Sequence, residues 1–99
     1  MPKFIQIHPE ALAEADAAVD WYLARSERAA TRFLTKLREA IAVLATQPSR
    51  FPVFAHQTRR VLLHRFPYIV VFRETSTALQ VIAIAHGRRK PGYWRDRIR

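Results

Sequence analysis

The chain has 99 residues, 49% of them hydrophobic, with no cysteine and a formal net charge of +9. That length suits one domain with a small core, so residues 1–99 are read as a single domain. The lack of cysteine excludes disulfides, thiolate metal sites and thiol nucleophiles. No run approaches the ~18 apolar residues of a membrane span, and the start MPKFIQIHPE lacks the apolar centre of a secretory signal. The expectation is a cytoplasmic protein with no membrane partner.

Lys3 to His8 alternates, with Ile5 and Ile7 opposite Gln6 and His8, which predicts a short strand stopped by Pro9. Proline suits a first helical position, and Glu10, Glu14 and Asp16 follow near that end, where the helix dipole favours negative charge. A helix is expected to about Arg25, with a buried stripe of Leu12, Ala15, Val19 and Tyr22. A second stripe, Ala30, Phe33, Leu34, Leu37, Ile41 and Leu44, ends before Pro48. The apolar phase runs from Tyr22 to Phe33 without a slip, so pattern alone allows one helix on the order of forty residues. Ser26 followed by Glu27 makes a reasonable N-cap, which favours two helices in a hairpin.

PSRFPVFAHQT carries two prolines in its first five residues and reads as a loop. Three strand patterns follow. RRVLLH sets Val61 and Leu63 opposite Leu62 and His64, IVVF is apolar throughout, and LQVIAIA sets Leu79 and Val81 opposite Ile82 and Ile84. Pro67 and Thr75-Ser76-Thr77 supply the turns of an antiparallel meander, which the N-terminal strand is expected to join. The predicted fold is α+β: an N-terminal strand and a two-helix hairpin packed on one face of a small twisted antiparallel sheet, whose other face is left for a partner.

Chemistry is limited by what is missing. His8, His56, His64 and His86 include no pair spaced by four on a helix, and the carboxylates are concentrated in the helices, so no metal and no cofactor are expected. Gly87 and Gly92 are the only glycines, too few for a phosphate-cradling loop. Charge is the stronger signal. Up to Pro48 six basic residues balance six acidic ones, whereas from Ser49 onward eleven basic residues, ten of them arginine, face only Glu74 and Asp96. Arginine's planar fork suits bidentate contact with phosphate or carboxylate, where a merely solubilising surface would use lysine as readily. The partner is then a polyanion: RNA, DNA or an acidic protein.

The arginines are interleaved with histidines and aromatics. Arg59, Arg60, His64 and Arg65 belong to one strand and its end; His86, Arg88, Arg89 and Lys90 follow the last strand; Tyr93, Trp94 and Arg95 come next. Without a metal, such a group suits cleavage of RNA by its own 2′-hydroxyl, which needs a base, an acid and positive charge on the phosphorane. Arginines fit the third role. His86 suits acid or base work, because imidazole titrates near neutrality; so does Tyr93, if nearby guanidinium groups lower its pKa. Arg65, His86, Arg89 and Tyr93 are therefore the catalytic candidates, with Arg59, Arg60, His64, Arg88, Lys90 and Arg95 as nucleic-acid contacts. The plainer alternatives are that His86 caps the strand end and that Trp94 and Tyr93 pack the tail on the core. Pro91 and Gly92 imply a defined turn. Arg95, Arg97 and Arg99 read as solvated, any role of theirs being general attraction for a polyanion.

In RFPYIVVF (65–72), AHGRRKPGYW (85–94), and the helix text ALAEADAAVDWYLARS followed by AATRFLTKLREAI, the chain resembles the RelE/ParE superfamily of toxins of type II toxin–antitoxin systems. The likeness covers nearly the whole chain in the expected order. It implies a RelE/ParE-like fold and a bacterial growth inhibitor held inactive by a small, acidic antitoxin encoded next door. The RelE-like branch cleaves mRNA on the ribosome with an arginine near the central strands, another after the last strand and a tyrosine near the carboxyl end, positions matched here by Arg65, Arg89 and Tyr93. The ParE-like branch acts on DNA gyrase and needs no RNA chemistry. The R-R-x-P-x-Y-W ending keeps cleavage-type residues, while the hairpin and the FPY text are shared with ParE-like proteins. Lys3, Lys36 and Lys90 are the only lysines, which leaves the general base unassigned. Ribosome-dependent mRNA cleavage is thus the first expectation, gyrase inhibition the alternative, and a non-toxic basic binding module the third.

Overall fold

A computed structural model of the protein describes residues 4–98. In chain order the elements are β1 (Phe4–Ile7), α1 (Pro9–Leu23), α2 (Glu27–Thr46), β2 (Arg59–Leu62), β3 (Tyr68–Glu74) and β4 (Ala78–His86). The four strands form one sheet in the order β1-β4-β3-β2, so the fold is α+β. Strands β2, β3 and β4 make the expected antiparallel meander. β1 lies parallel to β4, with Phe4 opposite Ala78 and Ile7 opposite Val81. The sheet is therefore mixed rather than antiparallel throughout. A parallel neighbour requires a long crossover, and the helical hairpin supplies the first part of it. Lys3, read as the start of β1, lies outside the described residues.

Local chemistry explains the helix ends. The His8 ring Nδ1 accepts the Glu10 N–H at 3.1 Å ahead of Pro9, and Ser26 Oγ accepts the Ala29 N–H at 3.2 Å, each satisfying a donor that the first turn leaves unpaired. Ser26 thus splits the continuous apolar phase into two helices. α2 buries Ala30, Phe33, Leu37 and Leu44 as expected, and Phe33 meets the rings of Tyr22, Phe66 and Tyr68 at centroid distances of 5.4, 5.5 and 5.3 Å. α1 differs from its predicted stripe. Ala11, Ala15 and Ala18 face the core, while Leu12 is 53% exposed. The small alanines let this helix sit close to the sheet, so the buried face lies one position back from the one Leu12 suggests.

One β-bulge reorganises the far side of the sheet. Val71 pairs with Ala83 and Phe72 with Val81, which leaves Ile82 as the extra residue. Alternation restarts beyond it. Leu79, Val81 and Ile84 all join the helix-side core, whereas Ile82 and Ala83 belong with Val71 and Trp94 to a second cluster, flanked by Phe54, Ala55, Tyr93 and Ile98. The predicted opposition of Ile84 to Leu79 and Val81 is thereby corrected. So is the expectation of a bare outer face, because the 51–58 loop and the C-terminal tail cover part of it. Nearer β1 that face carries a polar ladder: Gln80 Nε2 donates to Gln6 Oε1 at 3.0 Å, and Arg73 Nε donates to Gln80 Oε1 at 2.7 Å. Among the described residues, no helix is long and apolar enough to cross a membrane.

Candidate functional site

β4 is longer than its neighbour β1. After the His8 N–H reaches the Val81 carbonyl at 2.9 Å, the chain turns away into α1, and the edge of β4 continues without a partner strand. Side chains complete it. Glu14 Oε1 accepts the Ile84 N–H at 3.0 Å, and Arg97 Nη1 donates to the Ile82 carbonyl at 3.1 Å. The two also bind each other in a fork, with Nη1 to Oε1 at 2.9 Å and Nη2 to Oε2 at 3.1 Å. Their side chains are only 16% and 11% exposed. Glu10 adds a contact at 3.3 Å to Arg97 Nε.

Two of the catalytic candidates meet at the same carboxylate. The Tyr93 hydroxyl donates to Glu14 Oε2 at 2.6 Å, and Arg89 Nη1 stands 3.4 Å from that oxygen. The Arg89 guanidinium lies 3.6 Å above the Tyr93 ring. Burial opposes ionisation of Glu14, but hydrogen bonds from Arg97, Tyr93 and the Ile84 N–H, with the charge of Arg97, hold its carboxyl below the usual range. Tyr93 moves the other way. Burial, reinforced by its hydrogen bond to Glu14 and that group's negative charge, raises the phenol pKa against the pull of Arg89 and Arg97. The guanidinium groups do pull it down, as expected, but burial first and the Glu14 carboxylate second outweigh them. Arg97, read as solvated, is raised above the ordinary guanidinium value, since Glu14 outweighs the effect of burial.

The remaining candidates are dispersed. Arg65 sits in the turn between β2 and β3 at φ 69°, where with His64 and Phe66 it faces a cleft against α2 lined by Arg28, Arg32 and Lys36. Among the described residues, no hydrogen bond or ion pair joins it to Arg89 or Tyr93. His86 ends β4, its ring edge-on to Tyr68 at 5.2 Å, and its Nδ1 accepts the Arg88 N–H at 3.1 Å, which is the capping role. Arg88 and Lys90 are exposed in the following loop and Arg95 in the last turn. Arg59 Nη1 is committed to the Phe51 carbonyl at 2.6 Å, and Arg60 lies 4.6 Å over the Phe54 ring. Trp94 is buried and stacks on Phe54 at 5.4 Å. Gly92 makes the expected turn with φ +90°, and a Cβ there would fall 2.7 Å from His56 Nε2. No group of three or more metal-ligating side chains occurs among the described residues.

Glu14 and Arg97 are the residues that sequence reasoning missed. A signal for Glu14 existed: position 14 lies three after Ala11 and four before Ala18, on the face that the alanines bury. For Arg97 the sequence held no local signal.

Comparison with known proteins places the chain in a family. The model for the ParE toxin of type II toxin-antitoxin system, parDE, matches residues 5–91, a stretch that includes both helices, Glu14 and Arg89 and stops before Tyr93. Among solved structures, one described as "Chromosomal ParDE TA system from P. aeruginosa" matches with a TM-score of 0.75 and 19% identity, over 85% of this chain and 95% of that one; the likeness is one of fold. No curated protein sequence matches. With nearly all its elements inside the matched span, the chain belongs to the ParE toxin family of type II toxin–antitoxin systems.

Proposed function

We propose that this ParE-type toxin arrests bacterial growth by binding DNA gyrase, that a cognate acidic antitoxin restrains it, and that it does not cleave RNA. The observation behind this reading is the network around Glu14. Metal-independent cleavage needs a proton acceptor, a proton donor and cationic forks free to grip a phosphorane. Here the Tyr93 hydroxyl is donated to Glu14 and holds its proton more tightly than a free phenol. Arg97 is bound to the same carboxylate and Arg89 leans on it. Any phosphate would have to displace that carboxylate, and Arg65 stands apart in the cleft against α2. Inhibition by binding needs none of these roles. It needs an exposed surface, and arginines beside exposed apolar side chains such as Leu62 and Val53 suit a protein interface. Gyrase is named on family grounds, because ParE-like toxins are the superfamily branch that acts on it.

The test uses two assays. Purified protein is expected to inhibit supercoiling by gyrase, while transcripts on translating ribosomes stay full-length after induction. Shortened transcripts that become intact with Tyr93→Phe or Arg89→Ala would overturn the proposal. Normal supercoiling with excess protein, together with unimpaired growth, would leave the basic binding module as the better description.

A further inference from the structure

On the outer face of the sheet, a cup of about 220 Å³ opens between the strands and the C-terminal tail. Its floor is a row across the meander, Leu62 opposite Ile69 and Ile69 opposite Ala85. Its walls bring together Arg60, His86, Arg89 and Trp94. Trp94 Nε1 is buried and has no hydrogen-bond partner among the described residues, which is uncommon for an indole in a folded core. The Arg60 guanidinium carbon lies 4.6 Å over the Phe54 ring, and among the described residues no carboxylate pairs with it. His86 accepts a backbone N–H through Nδ1, which places the proton of the neutral ring on Nε2 as a donor. The polar side chains lining the cup, Arg60, His86 and Arg89, thus bring mainly donors above its apolar floor, and the Trp94 indole, its Nε1 out of reach of solvent, backs one wall.

We infer that this cup receives one carboxylate side chain, Glu or Asp, presented by a polypeptide partner. The charge balance favours a carboxylate over a phosphate. Arg89 already shares its charge with Glu14, which leaves Arg60, of the two arginines lining the cup, without a carboxylate among the described residues, a match for one negative charge and short for a phosphate dianion. The rim favours a polypeptide over a nucleic acid, because Leu62 at its edge is 67% exposed and nucleic-acid interfaces are polar and strongly cationic. The inference does not depend on gyrase being the target, since it concerns the chemistry of the cup alone.

The indole N–H of Trp94 is its own reporter, and Trp21, 51% exposed on α1, is an internal control. In ¹⁵N-labelled full-length protein, acetyl-Gly-Glu-Gly-amide is expected to shift the Trp94 indole signal saturably and leave that of Trp21 in place. The Gln counterpart of the peptide should bind about tenfold more weakly, as loss of a charge-assisted hydrogen bond implies. Arg60→Gln should weaken the Glu peptide by a similar factor while preserving a dispersed spectrum. A Trp94 signal unmoved by the Glu peptide overturns the inference. So does inorganic phosphate shifting it as strongly at equal concentration, which would mark a phosphate site instead.

Discussion

The two faces of the sheet are closed by different forces. On the helix side, Phe33, Phe72, Leu44 and Val70 are fully buried, and the Phe33 ring is enclosed by other aromatics. On the outer side a smaller core of Val71, Ile82, Ala83 and Trp94 depends on a tail that Arg97 ties to Glu14 around the sheet edge. Hydrophobic burial does not involve protons, whereas a tie through one carboxylate does. The difference teaches that the outer layer can loosen while the helix-side core stays folded.

The largest effect should come from the helix side. Phe33→Ala is expected to destabilise the whole domain by about 4 kcal/mol, since both cores hang on the same strands; urea unfolding measures it, and a loss confined to the helices would contradict a shared scaffold. Next, Glu14→Ala should cost about 3 kcal/mol by leaving the largely buried Arg97 with only the exposed Glu10 as a counter-charge. Arg97→Ala should cost a similar amount, and the double variant clearly less than the sum; additivity would mean that the two do not act as a pair.

Acid gives the same separation without mutation. Glu14 has a folded pKa held below its ordinary value, so its contribution is present above the ordinary carboxylate range and disappears as pH falls through the lowered value. Trp94 near-ultraviolet dichroism should therefore fade before the far-ultraviolet helix signal, and Glu14→Gln should remove the difference between the two curves. The smallest effect is expected at the tail's turn. Gly92→Ala places a side chain at φ +90° against His56 and should cost about 2 kcal/mol, with Trp94 fluorescence changed and helix content intact. An unchanged melting temperature would show that the turn is not needed to seat Trp94.

Much of the fold was legible because punctuation marked it. Pro9, Ser26, Pro48, Pro67 and Thr75-Ser76-Thr77 bound the elements about where the structure has them, and the FPY and HGRRKPGYW stretches pointed to the right superfamily. The misses share a physical origin. Periodicity weighs side-chain size, so Leu12 was favoured over Ala11 on a helix that packs close. A bulge at Ile82 shifts every later residue by one face, and no glycine announces it. The parallel pairing of β1 follows from the path of the whole chain and not from its own four residues. At the site, the sequence brought out Arg89 and Tyr93 but not the acid they meet, because Glu14 and Tyr93 are 79 positions apart. Charge counting recognised an arginine excess and had no means to separate the guanidinium groups turned inward from those left for a partner.

The way β4 is finished has a practical consequence for handling the protein. Arg97 and Glu14 act as a stopper on an otherwise open hydrogen-bonding edge. If a protease or an early stop codon removes the last few residues, the Ile82 carbonyl is uncovered within a strongly apolar strand, a template on which a second molecule can zip. Trimmed protein should self-associate while its helices remain intact, and an affinity tag belongs at the amino end.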